Sequence, residues 1–185
     1  SKEQPMQVIT GKYRGRRLVS PDSARPTLQR VKQSLFSTIQ DKIAGANCLD
    51  LFAGSGALGI ECISRQAKFV DFVEIDAGAI KCLSCNLKGI DPSLFCVTNS
   101  DYKLALRKFA GENKKFDLVF LDPPYKSGVY ASVIDLLNRY DLLADGALVV
   151  AEMDLQNDLQ FKENQCIIYK IKEYGSLKIV IFKKE

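Results

Sequence analysis

The chain reads as an α/β protein, a doubly wound, mostly parallel sheet of seven strands that ends in an antiparallel hairpin. Three observations predict this. From Asn47 onward, short apolar runs alternate with stretches of helical periodicity, the pattern of a parallel sheet covered on both faces. The first run opens into a glycine-rich turn, Gly54-Ser55-Gly56-Ala57-Leu58-Gly59, where a strand hands over to a helix. The tail places two β-rich runs around Gly175 with no helix between them.

Taken in order, Val8-Ile9-Thr10 turns through Gly11 to Gly15 into Arg17-Leu18-Val19, a short hairpin, and Pro21 to Pro26 is a loop. Thr27 stands at an N-cap position before Leu28, Val31, Leu35, Ile39 and Ile43, which recur at helical spacing. Arg30, Lys32 and Gln33 fall on the opposite flank of that helix. Strands are predicted over Cys48 to Phe52, Phe69 to Ile75, Phe95 to Thr98, Phe116 to Leu121 and Ala147 to Ala151. Helices are predicted over Gly56 to Arg65, Ala77 to Lys88, Tyr102 to Ala110 and Val129 to Tyr140. Cys166 to Lys172 and Leu177 to Phe182 form the final hairpin. At 185 residues the chain suits one domain, with 1–45 as a basic extension and 46–185 as the core.

Composition narrows the chemistry. The chain contains no histidine, which removes Ser-His and Cys-His nucleophiles and any histidine general base. Six cysteines sit mostly inside predicted strands and helices, as small apolar residues do. Cys82-x-x-Cys85 is half a zinc motif without a second pair, so no metal is expected. No apolar stretch has membrane-spanning length and the N-terminus is too polar for a signal peptide, so the expectation is a cytoplasmic protein without a membrane partner. Through Gly45, nine Lys/Arg face three Asp/Glu, a net of +6; the remaining 17 basic and 19 acidic residues give −2. A basic arm on a near-neutral body is the asymmetry of a nucleic-acid binder, although a solvated charged face would look the same.

Two motifs carry the chemistry. Gly54, Gly56 and Gly59 match G-x-G-x-x-G, which by itself also marks dinucleotide sites. Asp50 just before the turn favours a cationic ligand over a pyrophosphate, and Glu74, twenty residues past Gly54, is placed to accept two ribose hydroxyls. Asp101 follows the third strand, where an acceptor can take an adenine amine or cap the next helix. The candidate cofactor residues are Asp50, Phe52, Ala53, Gly54, Ser55, Gly56, Glu74, Ile75 and Asp101. The second motif is Asp122-Pro123-Pro124-Tyr125 at the end of the fourth strand. Two prolines stop that strand, leaving a carboxylate, free carbonyls and an aromatic ring, a set that suits an amine-bearing planar base.

Together these residues resemble a class I, Rossmann-like S-adenosylmethionine-dependent methyltransferase, and the D-P-P-Y tetrapeptide is similar to that of enzymes acting on exocyclic base amines. Gly15-Arg16-Arg17-Leu18, Arg25-Pro26-Thr27, Arg30-Val31-Lys32, Leu35-Phe36 and Tyr174-Gly175-Ser176 extend the likeness to the bacterial 16S ribosomal RNA guanine-N2 methyltransferase family. The resemblance implies S-adenosylmethionine as cofactor, with Asp122, Pro123, Pro124 and Tyr125 as the catalytic set. Asp122 and the Pro123 carbonyl would accept hydrogen bonds from the guanine amine, and Tyr125 would stack on the turned-out base. Arg14, Arg16, Arg17, Arg25, Arg30 and Lys32 would track RNA phosphates, with Arg25 and Arg30 the first candidates to tie the arm to the body instead. The expected partner is ribosomal RNA, free or in an assembling small subunit, and a monomer is the expected state. An adenine-N6 DNA or RNA methyltransferase, a protein-glutamine methyltransferase, a dinucleotide-binding oxidoreductase and a non-catalytic RNA-binding module are the competing readings. A DNA adenine methyltransferase usually needs a recognition domain that 185 residues can hardly supply, and a protein-glutamine enzyme more typically carries Asn where Asp122 stands.

Overall fold

The structure is a computed structural model that describes residues 5–21, 29–124, 128–157 and 166–185. Its seven-stranded sheet has the order β3-β2-β1-β4-β5-β7-β6. The strands are β1 (Asn47–Leu51), β2 (Phe69–Glu74), β3 (Phe95–Asn99), β4 (Phe116–Leu121), β5 (Leu143–Asp154), β6 (Cys166–Tyr174) and β7 (Leu177–Lys184). β3, β2, β1, β4 and β5 run parallel; β7 returns antiparallel beside β5, and β6 is the edge. Helices α1 (Gln29–Ile39), α2 (Ala57–Ser64), α3 (Ala77–Asn86), α4 (Tyr102–Gly111) and α5 (Val129–Arg139) complete it. From β1 onward the predicted class and order of elements are all present. β5 is longer than Ala147 to Ala151, because a register shift between Phe116 and Leu118 absorbs Gly146 (φ 77°) and pairing with β7 carries the strand on to Asp154. No helix among the described residues is long and apolar enough to cross a membrane.

Alternation along the strands splits the core into two layers. Cys48, Val70, Phe72, Leu118, Phe120, Leu148 and Val150 face α1, α2 and α3. Leu49, Leu51, Val73, Val119, Leu121, Val149 and Ala151 face α4 and α5. The chain runs outward from β1 through β2 to β3, then crosses back to β4 beside β1, which makes the β1/β4 junction the switch point where open α/β sheets bind ligands.

The predicted N-terminal hairpin is reduced to one antiparallel bridge, Gln7 with Arg17, around a tight turn. The turn is used for docking. The N–H groups of Ile9 and Thr10 donate to Glu61 Oε1 and Oε2 (2.8 and 3.1 Å), and Lys12 N–H donates to Ser64 O at 2.9 Å. A β-carbon on Gly11 would sit 1.9 Å from Ser64 O, so no other residue permits that approach. Glu61 is fully buried in α2 and also pairs with Lys32 of α1 (3.0 Å) and Arg65 (2.9 Å). Lys32 is itself 0% exposed and donates to Gln7 O at 2.9 Å. Burial pushes the Glu61 pKa up, but the Lys32 charge, the Ile9 N–H and Arg65 outweigh it and hold it below the ordinary glutamate range.

Lys32 is therefore not an RNA contact, contrary to the sequence expectation. It lies on the buried side of α1, where its four-carbon stem passes through the apolar layer to reach Glu61. The Thr27 cap, Leu28 and the loop before them lie outside the described residues.

Replacing Glu61 by Gln should cost about 3–5 kcal/mol in urea denaturation at pH 7, because it strands a buried lysine charge. Since the folded pKa of Glu61 is depressed, its stabilisation is complete above the ordinary glutamate range and is lost as pH falls through the folded value. The gap between wild type and Glu61→Gln should accordingly narrow below about pH 4.

Candidate active site

The carboxyl end of each of the five parallel strands delivers one acidic side chain. Asp50 lies in β1 and Glu74 ends β2; Asp101 follows β3, Asp122 follows β4 and Glu152 lies near the end of β5. Sequence reasoning selected the first four and missed Glu152. It ended β5 at Ala151, and the residue reads as the start of a polar turn in Glu152-Met153-Asp154. A signal was available: a fifth parallel strand also ends at the cleft, and an acid within one residue of its predicted end is a candidate.

The three glycines divide their labour. A β-carbon on Gly56 would stand 2.3 Å from Leu83 Cδ1, and one on Gly59 would stand 2.3 Å from Phe72 Cε1. These two let α2 lie directly on β2 and α3. A β-carbon on Gly54 (φ 58°) would meet nothing within 4 Å, so its turn presents bare backbone to open space. Phe52 takes the left-handed conformation (φ 63°), turning the chain out of β1 while its ring meets Tyr102 at 5.4 Å. Such a conformation in a bulky residue is strained by roughly 1–2 kcal/mol.

Hydrogen bonds hold the loop from both sides. Glu74 Oε1 accepts from Gly54 N–H at 2.8 Å, while Oε2 accepts from Ile75 and Asp76 N–H at 2.8 and 2.9 Å. Oε1, with one donor, retains a lone pair for a ligand hydroxyl. Asn86, buried at the end of α3, donates to Ser55 O (2.9 Å) and Val19 O (2.8 Å) and accepts from Val19 N–H, joining the loop to the N-terminal arm. Asn86 was also missed, since a helix-terminal asparagine has no distinguishing sequence context. Asp101 Oδ1 caps α4 through Lys103 N–H at 2.6 Å, leaving its second oxygen for another donor. Ile75 is 64% exposed beside Glu74, an apolar surface at the cleft mouth.

Asp50 departs from the sequence expectation of a fixed negative charge. It is buried, its Oδ2 accepts from Gly59 N–H at 3.0 Å, and its pKa is pushed up to about 7. Burial is the main cause and the Glu74 charge adds to it, against the Gly59 hydrogen bond. Asp50 thus carries half a charge near neutrality, and a neighbouring cation would complete its ionisation.

At the switch point, a recess is lined by Leu35, Leu58, Leu121, Asp122, Val150, Glu152 and Ile179. The β4/β5 register pairs Leu121 with Ala151, so the next residues, Asp122 and Glu152, are neighbours. Their carboxyl groups are hydrogen-bonded; burial first, and then the Glu152 charge, raise the Asp122 pKa well above the usual carboxylate range. Closely spaced carboxyls of this kind disfavour both being ionised at once. Pro123 is buried and Pro124 exposed, and Tyr125 lies outside the described residues. The Tyr130 hydroxyl donates to the Glu152 backbone carbonyl, pinning β5 to α5.

Of the basic candidates, Arg14, Arg17 and Arg30 are exposed. Arg16 instead donates to the Lys88 carbonyl after α3 and Lys32 pairs with Glu61, so among the described residues these two tie the arm to the body. Arg25 lies outside the described residues.

The donor set fits a nucleoside bearing a sulfonium. It offers bare backbone at Gly54, a carboxylate with a spare lone pair at Glu74, an apolar face at Ile75, and a half-ionised Asp50 beneath. Comparison with known proteins agrees in kind. The family model described as conserved hypothetical protein 95 matches residues 6–183. Ribosomal RNA small subunit methyltransferase D of Escherichia coli (strain K12) is 35% identical over 182 residues, 97% of this chain and 90% of that protein. YlbH of Bacillus subtilis (strain 168) is 36% identical over 182 residues, covering 97% and 99%. The solved structure of yhhF from Escherichia coli superposes with a TM-score of 0.86 at 34% identity, covering 98% of this chain and 99% of that one.

Gly59→Ala should lower stability by about 1–3 kcal/mol through the clash with Phe72. Thermal denaturation of the double variant with Phe72→Leu should lose less than the two single changes summed, because the smaller residue vacates the contested space.

Proposed function

The chain belongs to the family described as conserved hypothetical protein 95, the group of the ribosomal RNA small subunit methyltransferase D enzymes, and on that premise we propose that it methylates the exocyclic N2 amine of a guanine in 16S ribosomal RNA, with S-adenosylmethionine as methyl donor. The observation that carries this reading is the Asp122-Pro123-Pro124 strand end beside the open Gly54 loop, on the face of the sheet where β1 and β4 meet.

When bound, S-adenosylmethionine supplies an electrophilic methyl group. Phe52, Ala53, Gly54, Ser55 and Gly56 form the turn that receives the donor. Glu74 would take its ribose hydroxyls, Ile75 and Asp101 its adenine, and Asp50 would offset its positive charge. On the acceptor side, the amine lone pair is delocalised into the guanine ring. Asp122 and the Pro123 carbonyl accept its two hydrogens and rotate that lone pair out of conjugation. The missing N–H of Pro123 and Pro124 keeps this strand end from pairing further, leaving its carbonyls free. As the nitrogen is methylated it becomes acidic, and its proton passes to the carboxylate in hydrogen-bond reach. Orientation and charge placement supply the catalysis, with no covalent intermediate.

Arg14, Arg17 and Arg30 would meet RNA phosphates, positioning the target without reading its sequence. The substrate is ribosomal RNA, free or in an assembling small subunit, which places the reaction in the cytoplasm; the chain would act as a monomer without a metal.

Asp122→Ala should reduce methyl transfer to 16S ribosomal RNA by at least about 10²-fold while S-adenosylmethionine affinity stays within a few-fold. Mass spectrometry of ribosomal RNA from cells with and without the protein identifies the modified guanine; no difference between them would overturn the proposal. Cofactor affinity should rise with pH through about 7, since a cation favours the ionised form of Asp50 and binding releases its proton. Calorimetry across pH 6 to 8 should show that rise in wild type and a flatter profile in Asp50→Asn.

A further inference from the structure

We propose that Glu152 is the specificity-determining residue of the site: together with Asp122 it accepts the two adjacent donors of the guanine edge, N1–H and N2–H, and rejects bases with an acceptor at N1. This rests on the guanine-N2 reading above and extends it to how the base is chosen.

Three observations converge. Asp122 and Glu152 leave adjacent parallel strands one residue beyond the Leu121/Ala151 pair, on the same face of the sheet, so both carboxyl groups enter one recess. Glu152 is fixed from behind, with its backbone paired opposite Ile179 of β7 and its carbonyl held by the Tyr130 hydroxyl. The recess walls, Leu35, Leu58, Val150 and Ile179, are aliphatic and offer no polar readout. Carboxyl oxygens thus supply the side-chain hydrogen-bonding in the recess.

Donor and acceptor order then decides which base fits. Guanine presents N1–H beside N2–H₂, two donors side by side, which neighbouring carboxylates complement. Adenine and cytosine each present an amine beside a ring nitrogen that is an acceptor, and a carboxylate facing that nitrogen is repelled. Any proton held on the Asp122–Glu152 pair in the free protein passes to water as the base's donors replace it. The N2 proton lost on methylation passes to the Asp122 carboxylate and then to water, so protons balance with no further reactant.

The test uses 2-aminopurine, which keeps the C2 amine but has an unprotonated N1. 16S ribosomal RNA is ligated with guanine or 2-aminopurine at the mapped target and assembled into small subunits. Wild type should methylate guanine at least about tenfold faster, the lower range for a buried polar group left unpaired. Glu152→Gln can donate to N1, so it should lower the guanine rate and shift the guanine to 2-aminopurine ratio at least about tenfold toward 2-aminopurine, with cofactor affinity unchanged. A ratio unmoved by Glu152→Gln would overturn the inference. Equal wild-type rates on the two bases would overturn it without any variant, so a misfolded variant does not leave the question open. Wild type inactive on the guanine substrate would instead remove the underlying functional reading.

Discussion

Glu61 is a carboxylate sealed from water, and α1, the end of α2 and the N-terminal turn meet around it to keep it charged. Lys32, Arg65 and the N–H groups of Ile9 and Thr10 converge on its two oxygens. The donors come from three parts of the chain, so satisfying one side chain fixes α1, the end of α2 and the N-terminal turn relative to one another. Burying the group without these partners would cost several kcal/mol. The consequence reaches the candidate site, because the position of α1 places Leu35 in the wall of the recess that holds Asp122 and Glu152. The far end of α1 is tied to β6 by Ser34 with Tyr174 (2.6 Å) and Thr38 with Lys172 (2.7 Å). The basic arm is thus part of the site's scaffold as well as its charged rim.

The cleft operates on a second constraint, like charges held close together. Five strand ends deliver five acidic side chains, and full ionisation of all of them would be unfavourable. Three are relieved by favouring protonation: burial raises the pKa of Asp50 to about 7, and burial with the Glu152 charge raises that of Asp122, so Asp122 and Glu152 need not both be ionised. Glu74 and Asp101 are relieved by backbone N–H donors. An acidic site held below full charge is suited to a cationic donor and a base edge made of hydrogen-bond donors, since each contact replaces a proton that the protein had to keep.

Much of this was legible in the sequence because period and punctuation are local properties. Alternating apolar runs, Gly54-Ser55-Gly56 and the Pro123-Pro124 stop mark strand ends regardless of context, so the seven strands and four of the five acids could be placed. The failures are equally specific. Lys32 carries a charge and lies near other basic residues, and nothing local says that its terminal nitrogen meets a carboxylate 29 positions away. Arg16 reads as a phosphate contact until the Lys88 carbonyl stands in front of it. Asp50 reads as an anion because its burial follows from the helix that folds over it.

What the sequence by itself determined is the order of elements, the strand ends that carry chemistry, and the kind of ligand their residues suit. Those rest on backbone preferences and side-chain periodicity, which act over a few residues. Tertiary structure alone decided which charges are buried, which acids are pushed toward protonation, and that Glu152 stands beside Asp122. These depend on register between strands distant in sequence and on dielectric environment, and neither exists until the sheet has closed.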